Sequence, residues 1–386
     1  MTNGFKKTVE TYKQAKTLAA EYYISPEIFE IERQNIFEKT WYCVGHSSRI
    51  PNPGDYYLQE VFGDSLIILR DKEGEVRAHY NVCAHRGTQI CPVLPYGLDS
   101  KNLERSTLQC RYHGWTYDLK GALIGAGQMK MVPAFEKEEN GLTSLPVKIW
   151  VGFIFIALSP NPVAFEDLYK PILNKLGDWK IEGLQPFGSA DVQVVEANWK
   201  LIMLNFNECD HCATIHPTLM KHIDSKSAMN DLSKGPILGG LMKITNGDSL
   251  TESGKICGVP LGGHLTLRTV RMGYYYSMLG NFLLNIHPDY VMFHYLTPLS
   301  ATRTSIETVW LFNPSSFGWA GFRPMEAINV WRKTNHEDWE ICEEAQKGIS
   351  SRGYKPGWYS PSESLLVAFD EEYLKLMSNR KEIGYL

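Results

Sequence analysis

Residues 83–115 read CAHRGTQICPVLPYGLDSKNLERSTLQCRYHGW, and they contain two short pairs, Cys83-Ala-His85 and Cys110-Arg-Tyr-His113, with 24 residues between His85 and Cys110. Two thiolates and two imidazoles on two loops make a complete metal site. A Cys2His2 set suits tetrahedral Zn²⁺. It also suits a [2Fe–2S] cluster in which two cysteines hold one iron and two histidines hold the other. Three features favour the cluster: each cysteine comes with its own histidine, the pairs lie between strand-like runs, and each is followed by a small turn, Arg86-Gly87 and Gly114-Trp115. Glycine lets backbone amides approach bridging sulfurs, and Trp115 can cover the site. Cys91, inside the spacer, reads as a small buried hydrophobe. The spacer segment PVLPYGLDSKNLERS reads as an extra loop beside the cluster.

Around these pairs the chain is β-rich. From Asp55 to Leu158 short runs such as YYLQEVFGDSLIILRD, EVRAHYNV and IWVGFIFIAL are punctuated by DKEG and DLKG turns, the signature of a small antiparallel domain. Before it, Ser25-Pro26 starts a helix whose apolar residues Ile28, Phe29, Ile31, Ile36 and Phe37 run to near Trp41. After Pro160, Pro162 and Pro171, the segment VQVVEANWKLIMLNFNECDHC reads as a strand entering a helix. Residues 222–264, rich in Gly, Ser, Asn and Asp, read as long loops over a site. Strand-like runs HLTLRTVRM, YVMFHYLTP and TSIETVWLF follow, then a closing helix over 326–347. The resulting division is a helical segment 1–40 packing on the last domain, a β domain 41–160 and a larger domain 161–386.

The 386 residues carry 39 Lys plus Arg against 43 Asp plus Glu, a net charge of −4 with both signs mixed along the chain. That balance argues against a nucleic-acid or anionic-membrane partner. No N-terminal apolar core is followed by a small-residue cleavage site. The longest apolar run, Ile149 to Leu158, is half a membrane span, so the reading is a cytoplasmic protein. Eight cysteines, two of them paired with nearby histidines, fit thiolate ligands in a reducing compartment better than a disulfide framework.

A second constellation lies in NFNECDHCATIHPTL. His211 and His216 are five residues apart, which on an ideal helix puts them ~140° apart and unable to share an ion. Pro217 disfavours the α conformation at His216, so the helix must end or distort there and swing His216 back. Glu208, three residues before His211, shares its face. The third ligand should be a carboxylate on the 326–347 helix. Asp338 is spaced with Trp331, Cys342 and Ala345 on the apolar stripe, while the glutamates fall mainly on the solvated face. Two histidines and a carboxylate with open positions suit non-haem Fe(II) that activates O₂.

The motifs CAHRG, CRYHGW, NECDHCATIHP and NHEDWEICEEAQKGISSRGYKPGWYSPSE resemble the oxygenase (alpha) component of Rieske non-haem iron oxygenases from about Tyr42 to Leu376, most closely the branch acting on quaternary ammonium compounds. LNIHPDYVMFHYLTPLSATRTSIETVWLFNP is similar to the glycine betaine and stachydrine members. The resemblance implies an α+β chain: an antiparallel β Rieske domain beside a catalytic domain whose antiparallel sheet wraps around a helix, assembled as a head-to-tail homotrimer. It implies that Cys83 and Cys110 hold one cluster iron, His85 and His113 the other, and that His211, His216 and Asp338 hold the mononuclear iron. Glu208 falls where the family has a carboxylate bridging to a neighbouring subunit's cluster; most ring-hydroxylating members have Asp there. The 24-residue spacer is longer than the family usually shows. A separate flavin/iron–sulfur reductase would supply electrons from NAD(P)H, and the reaction with O₂ would be attack on a C–H bond next to nitrogen.

A quaternary ammonium cannot donate hydrogen bonds, so its pocket should be aromatic. Tyr274, Tyr275, Tyr276, Phe282, Phe293 and Tyr295 offer the material, and strand alternation lets about half of them face one side. His264 and His287 read as structural histidines. The competing readings are an aromatic-acid substrate for the same irons, a pure electron carrier and a zinc-stabilised binding protein.

Overall fold

The computed structural model describes residues 15–92, 100–103, 106–173, 175–262 and 271–378. His264, residues 93–99 and 104–105 of the loop expected beside the cluster, and the first fourteen residues lie outside the described residues. Thr40–Pro162 forms one compact unit, and the described residues before and after it form a second.

The first unit is antiparallel throughout. Its strands are β1 (Trp41–His46), β2 (Asp55–Val61), β3 (Asp64–Arg70), β4 (Val76–Tyr80), β5 (Lys101–Asn102), β6 (Leu108–Gln109), β7 (Thr116–Tyr117), β8 (Leu123–Gly125), β9 (Ser144–Leu145), β10 (Val147–Trp150) and β11 (Phe153–Ala157). They make three sheets, ordered β5-β2-β3-β4-β9, β1-β11-β10 and β6-β7-β8. The run Leu66-Ile67-Ile68-Leu69 in β3 is wholly buried, as a strand covered on both faces must be. Ile67 and Leu69 share a core with Tyr56, Cys83, Cys110 and Trp115. Cys83 follows β4, and Cys110 opens the β6–β7 hairpin.

The second unit begins with α1 (Glu21–Ile24) and α2 (Pro26–Glu32), the latter capped by the Ser25 hydroxyl, which accepts from Ile28 N at 3.2 Å. A π-helical turn, Arg33–Phe37, ends the helical start, and Trp41 is already strand. Further along are α3 (Phe165–Leu173), β12 (Gln185–Pro186), β13 (Asp191–Val195), α4 (Trp199–Phe206), α5 (Cys212–Ile215), β14 (Ile223–Ser233), β15 (Ile237–Ile244), β16 (Met272–Met278), β17 (Phe282–Ile286), β18 (Tyr290–Ser300), β19 (Arg303–Phe312), α6 (Pro324–Ile349) and α7 (Ser364–Ser378). One antiparallel sheet runs β12-β19-β18-β17-β16-β15-β14, with β13 also on β19.

The register Tyr275↔Asn285↔Met292↔Trp310 lines up one row across four strands. Directly opposed residues share a face. That face packs Tyr290, Met292, Trp310 and Phe312 against Ala327, Ile328, Val330 and Trp331 of α6, so the sheet curves over the long helix.

The stretch expected as long loops, residues 222–264, instead contains the paired strands β14 and β15, with register shifts at Asp224/Met229 and Asn230/Leu232. Exposed β14 has little hydrophobic alternation to betray it. Its partner's glycines serve close strand approach: a Cβ at Gly239 would collide with Tyr275 O, and one at Gly240 with Met229 O. No helix among the described residues is long and apolar enough to cross a membrane.

Glu32 of α2 is fully buried and accepts from Lys200 Nζ, from Trp199 Nε1 at 2.8 Å and from Tyr373 OH at 2.7 Å. The network ties the N-terminal segment to the start of α4 and to α7. A paired and hydrogen-bonded charge is the condition under which a buried carboxylate is tolerated.

Candidate functional site

In the β unit the two Cys/His pairs fold into matching hairpins. Cys83 N donates to Thr88 O at 2.9 Å and Gly87 N to Cys83 O at 2.9 Å; Cys110 N donates to Trp115 O at 2.8 Å and Gly114 N to Cys110 O at 3.0 Å. Gly87 and Gly114 both have φ +74°, a left-handed turn that favours glycine. The loops bring the His85 and His113 rings to 4.7 Å between centroids, with Trp115 stacked on His85 at 4.6 Å. Cys83 and Cys110 are free thiols, each 2% exposed, and His85 Nδ1 is buried with no hydrogen-bond partner.

Two buried thiols beside a half-buried His85 with an orphaned ring nitrogen and an exposed His113 fit a two-sulfur, two-nitrogen metal group at the surface of the unit. The Tyr117 hydroxyl lies 3.2 Å from Cys83 Sγ and accepts from Ala84 N at 3.1 Å. Burial first, and the neighbouring Cys83 next, push the Tyr117 phenol well above its usual pKa, so it stays protonated and able to donate to sulfur. Cys91 is a buried thiol outside this set, pushed up to about 12 by burial.

In the second unit the site is built where α4 stops. Asn198 caps α4 by accepting from Lys200 N at 2.9 Å, and Asn207 closes its C-terminus by donating to Met203 O at 2.7 Å. Residues 207–211 then run as a loop, so Glu208 and His211 do not share a helical face as expected. They meet through the loop instead: His211 Nδ1 and Glu208 Oε1 are hydrogen-bonded, and the backbone N–H of Asp210 donates to Glu208 Oε2. α5 is a single turn with His211 at its N-cap and His216 at its C-cap. His216 has φ −114° and ψ 65°, outside the helical region, as Pro217 requires. The two rings come to 5.1 Å between centroids.

Asp338, from the middle of α6, projects between them. Its Oδ1 is 2.9 Å from His216 Nε2 and 3.3 Å from His211 Nε2. The opposite nitrogen of each ring is held by another carboxylate: Glu208 for His211, and Glu337 Oε2 at 2.9 Å for His216. Two imidazole nitrogens and a carboxylate oxygen converging on one point, with each imidazole oriented from behind, fit a metal with a supporting outer shell. Burial alone would depress the His211 pKa, but its hydrogen bonds to Asp338 and Glu208 outweigh this and lift it to about 9. A metal binding at His211 would have to displace a proton there. His216 moves the same way, with burial again outweighed by Asp338.

Two parts of this centre escape the sequence reading. Glu337 was expected on the solvated face, yet its neighbour position beside Asp338 lets it reach His216 from one side of the stripe. Cys209 and Cys212, expected as thiols, are joined in a disulfide within the same loop. Cys212 supplies one of three potential ligand atoms, with His211 and His216, that lie within 4.8 Å of one another. Its sulfur is committed to Cys209, which leaves the carboxylate as the third group.

A cavity of ≈ 70 Å³ opens beside these residues. Of the aromatics suggested by sequence only Tyr275 lines it; the other aromatic walls are Phe206, Trp331 and Trp339. Tyr274 packs on Trp179 at 5.0 Å, Tyr276 hydrogen-bonds Asp231 at 3.4 Å, and Phe282 packs on Phe293 at 5.9 Å. His287 is fully buried, 4.5 Å from the Tyr290 ring, and burial lowers its pKa to about 3.

Residues 173–379 match the ring hydroxylating alpha subunit (catalytic domain), and residues 40–136 match the Rieske [2Fe-2S] domain. The second match removes the zinc alternative for the β unit. The glycine betaine monooxygenase oxygenase subunit of Pseudomonas aeruginosa is 28% identical over 94% of this chain and 89% of its own length. The carnitine monooxygenase oxygenase subunit of Escherichia coli K12 is 33% identical over 53% of each chain. A solved quaternary ammonium Rieske monooxygenase superposes with a TM-score of 0.80 at 25% identity, covering 94% of this chain and 95% of that one.

Proposed function

The chain belongs to the ring hydroxylating alpha subunits, the oxygenase components of Rieske non-haem iron oxygenases, and from that premise we propose that it hydroxylates or N-demethylates a small quaternary ammonium or N-methylated amine. The observation that carries the reading is the cavity beside His211, His216 and Asp338, walled by Tyr275, Trp331, Trp339 and Phe206, with no Lys or Arg among its described lining residues. Aromatic faces attract a cation that has no N–H to donate, by roughly 0.5–2 kcal/mol per good contact.

In this reading Cys83 and Cys110 hold one iron of the [2Fe–2S] cluster and His85 and His113 the other, while His211, His216 and Asp338 hold the mononuclear Fe(II). When bound, these groups supply electron transfer and O₂ activation. Glu337 and Glu208 fix the ring orientations of His216 and His211. Glu208 further serves as the bridge to a cluster histidine of a neighbouring subunit in a homotrimer, and a separate flavin/iron–sulfur reductase supplies the electrons in the cytoplasm. The aromatic walls exclude water and turn an N-methyl group toward the triad. Balanced overall, an N–CH₃ group, O₂, two electrons and two protons give N–CH₂OH and water. The N–CH₂OH product then breaks its C–N bond, releasing formaldehyde, the demethylated amine and a proton.

The test is formaldehyde release and substrate-dependent O₂ uptake over a panel of betaines, carnitine, choline and proline betaine with a surrogate reductase. Turnover of an aromatic acid with none of these amines accepted would overturn the reading.

A further inference from the structure

One side chain in the cavity wall is left unused by everything described so far. Asn285 lies on β17, 1% exposed, between Tyr275 on one neighbouring strand and Met292 on the other. Both its amide atoms, Oδ1 and Nδ2, are buried without a hydrogen-bond partner, and the residue lines the same cavity as Trp331 and Asp338. A buried amide with neither end satisfied costs about 1–3 kcal/mol per group. It is retained at low cost only if something entering the cavity pairs with it. Two other polar side chains of the wall are already engaged: His294 Nδ1 with Thr308 Oγ1 at 2.8 Å, and Thr334 Oγ1 with Val330 O at 2.9 Å.

We infer that Asn285 is the specificity-determining residue that reads the polar end of the substrate, and that this end is a neutral group able both to donate and to accept, a hydroxyl or a carboxamide, rather than a carboxylate. The inference rests on the amine reading above and narrows it. A carboxylate can accept from Nδ2, but it leaves Oδ1 facing an anion. A hydroxyl or carboxamide satisfies both amide atoms and brings no charge. The ammonium end then rests on the aromatic walls.

The test is equilibrium binding by calorimetry to the purified, iron-loaded protein. Four probes share a trimethylammonium head: choline with a hydroxyl, betaine amide with a carboxamide, glycine betaine with a carboxylate, and propyltrimethylammonium with no polar end. Choline or betaine amide should bind the wild-type protein at least tenfold more tightly than both glycine betaine and propyltrimethylammonium. Asn285→Leu, of similar volume, should erase that preference. Glycine betaine binding as tightly as the neutral-ended probes in the wild type overturns the inference without any variant. So does a preference that survives Asn285→Leu. If none of the four binds, the amine reading itself fails and takes the inference with it, an outcome separable from the others because propyltrimethylammonium needs no polar anchor.

Discussion

Asp338 Oδ1 lies 2.9 Å from His216 Nε2, the ring nitrogen opposite the one that Glu337 holds. One carboxylate therefore lies where the two imidazoles converge while another orients one of those imidazoles from behind. Replacing Asp338 with Ala, or His211 with Ala, removes one of three converging donors. Each should cut the iron content of the purified protein by about the mononuclear share while leaving the visible absorption of the cluster unchanged. Metal analysis that finds iron per chain undiminished in both variants contradicts the triad.

Glu337 acts at one remove. Its loss frees His216 to rotate, and loss of such a partner typically costs 10–100-fold in metal affinity. Glu337→Ala should lose Fe(II) to a chelator correspondingly faster than the wild type. Glu337→Gln still offers an acceptor to Nδ1–H and should recover most of the retention. Equal loss in both variants would point to charge rather than orientation.

Cys83→Ser should abolish the cluster absorption, because a serine oxygen replaces a thiolate poorly on ferric iron. The far-ultraviolet dichroism and the mononuclear iron should persist, since Cys83 belongs to the core of the separate β unit. An unchanged visible spectrum refutes the ligand assignment.

Asp370 of α7 gives a pH test of the scaffold. It is 1% exposed, its Oδ2 accepts from Tyr359 OH at 2.9 Å, and its Oδ1 has no partner. Burial raises its pKa to about 7. Because the folded value lies above the unfolded one, its favourable contribution is complete below about pH 4 and is lost as pH rises through about 7. Asp370→Asn cannot ionise, so it should be more stable than the wild type at pH 8, by roughly 2–4 kcal/mol, and lose that advantage toward pH 4. Denaturant melts at the two pH values decide it; an advantage independent of pH would mean that folding leaves the pKa of this carboxyl unshifted.

The parts legible in sequence were those set by local spacing. Cys83, His85, Cys110 and His113 announce their site because each pair sits in a self-contained turn. Pro217 announces that His216 cannot continue a helix. Asp338 emerges from helical periodicity because its neighbours Trp331 and Cys342 are apolar. What escaped depends on tertiary approach. Glu337 is off the stripe by one position and reaches His216 only because α5 packs beside α6. Asn285 looks like an ordinary strand residue until β16 and β18 are placed on either side. The β14–β15 pair hides in a Gly- and Asn-rich composition, because close backbone contact with Tyr275 and Met229, rather than apolar alternation, selects those residues. The Cys209–Cys212 bond carries no local signal, because a separation of three residues serves metal ligands and disulfides alike.

Glu208 decides whether the two centres form a relay or merely share a chain. Its carboxylate holds His211 Nδ1 from within the subunit, and its residue type and position fit a bridge to a neighbour's cluster histidine. Glu208→Gln keeps the size but removes the charge and one acceptor, so both irons should stay bound while electron transfer between centres fails. Glu208→Asp keeps the charge on a carboxylate one methylene shorter, and should give partial activity if the loop at 207–211 adapts. The measurement is a single turnover: reduce the cluster chemically, add substrate and O₂, and follow the return of the oxidised spectrum together with product. Slow reoxidation without product, at a full iron complement, is the expected result for Gln. Reoxidation and product formation at the wild-type rate would show that Glu208 is not the bridge, and would require the path to run through other residues.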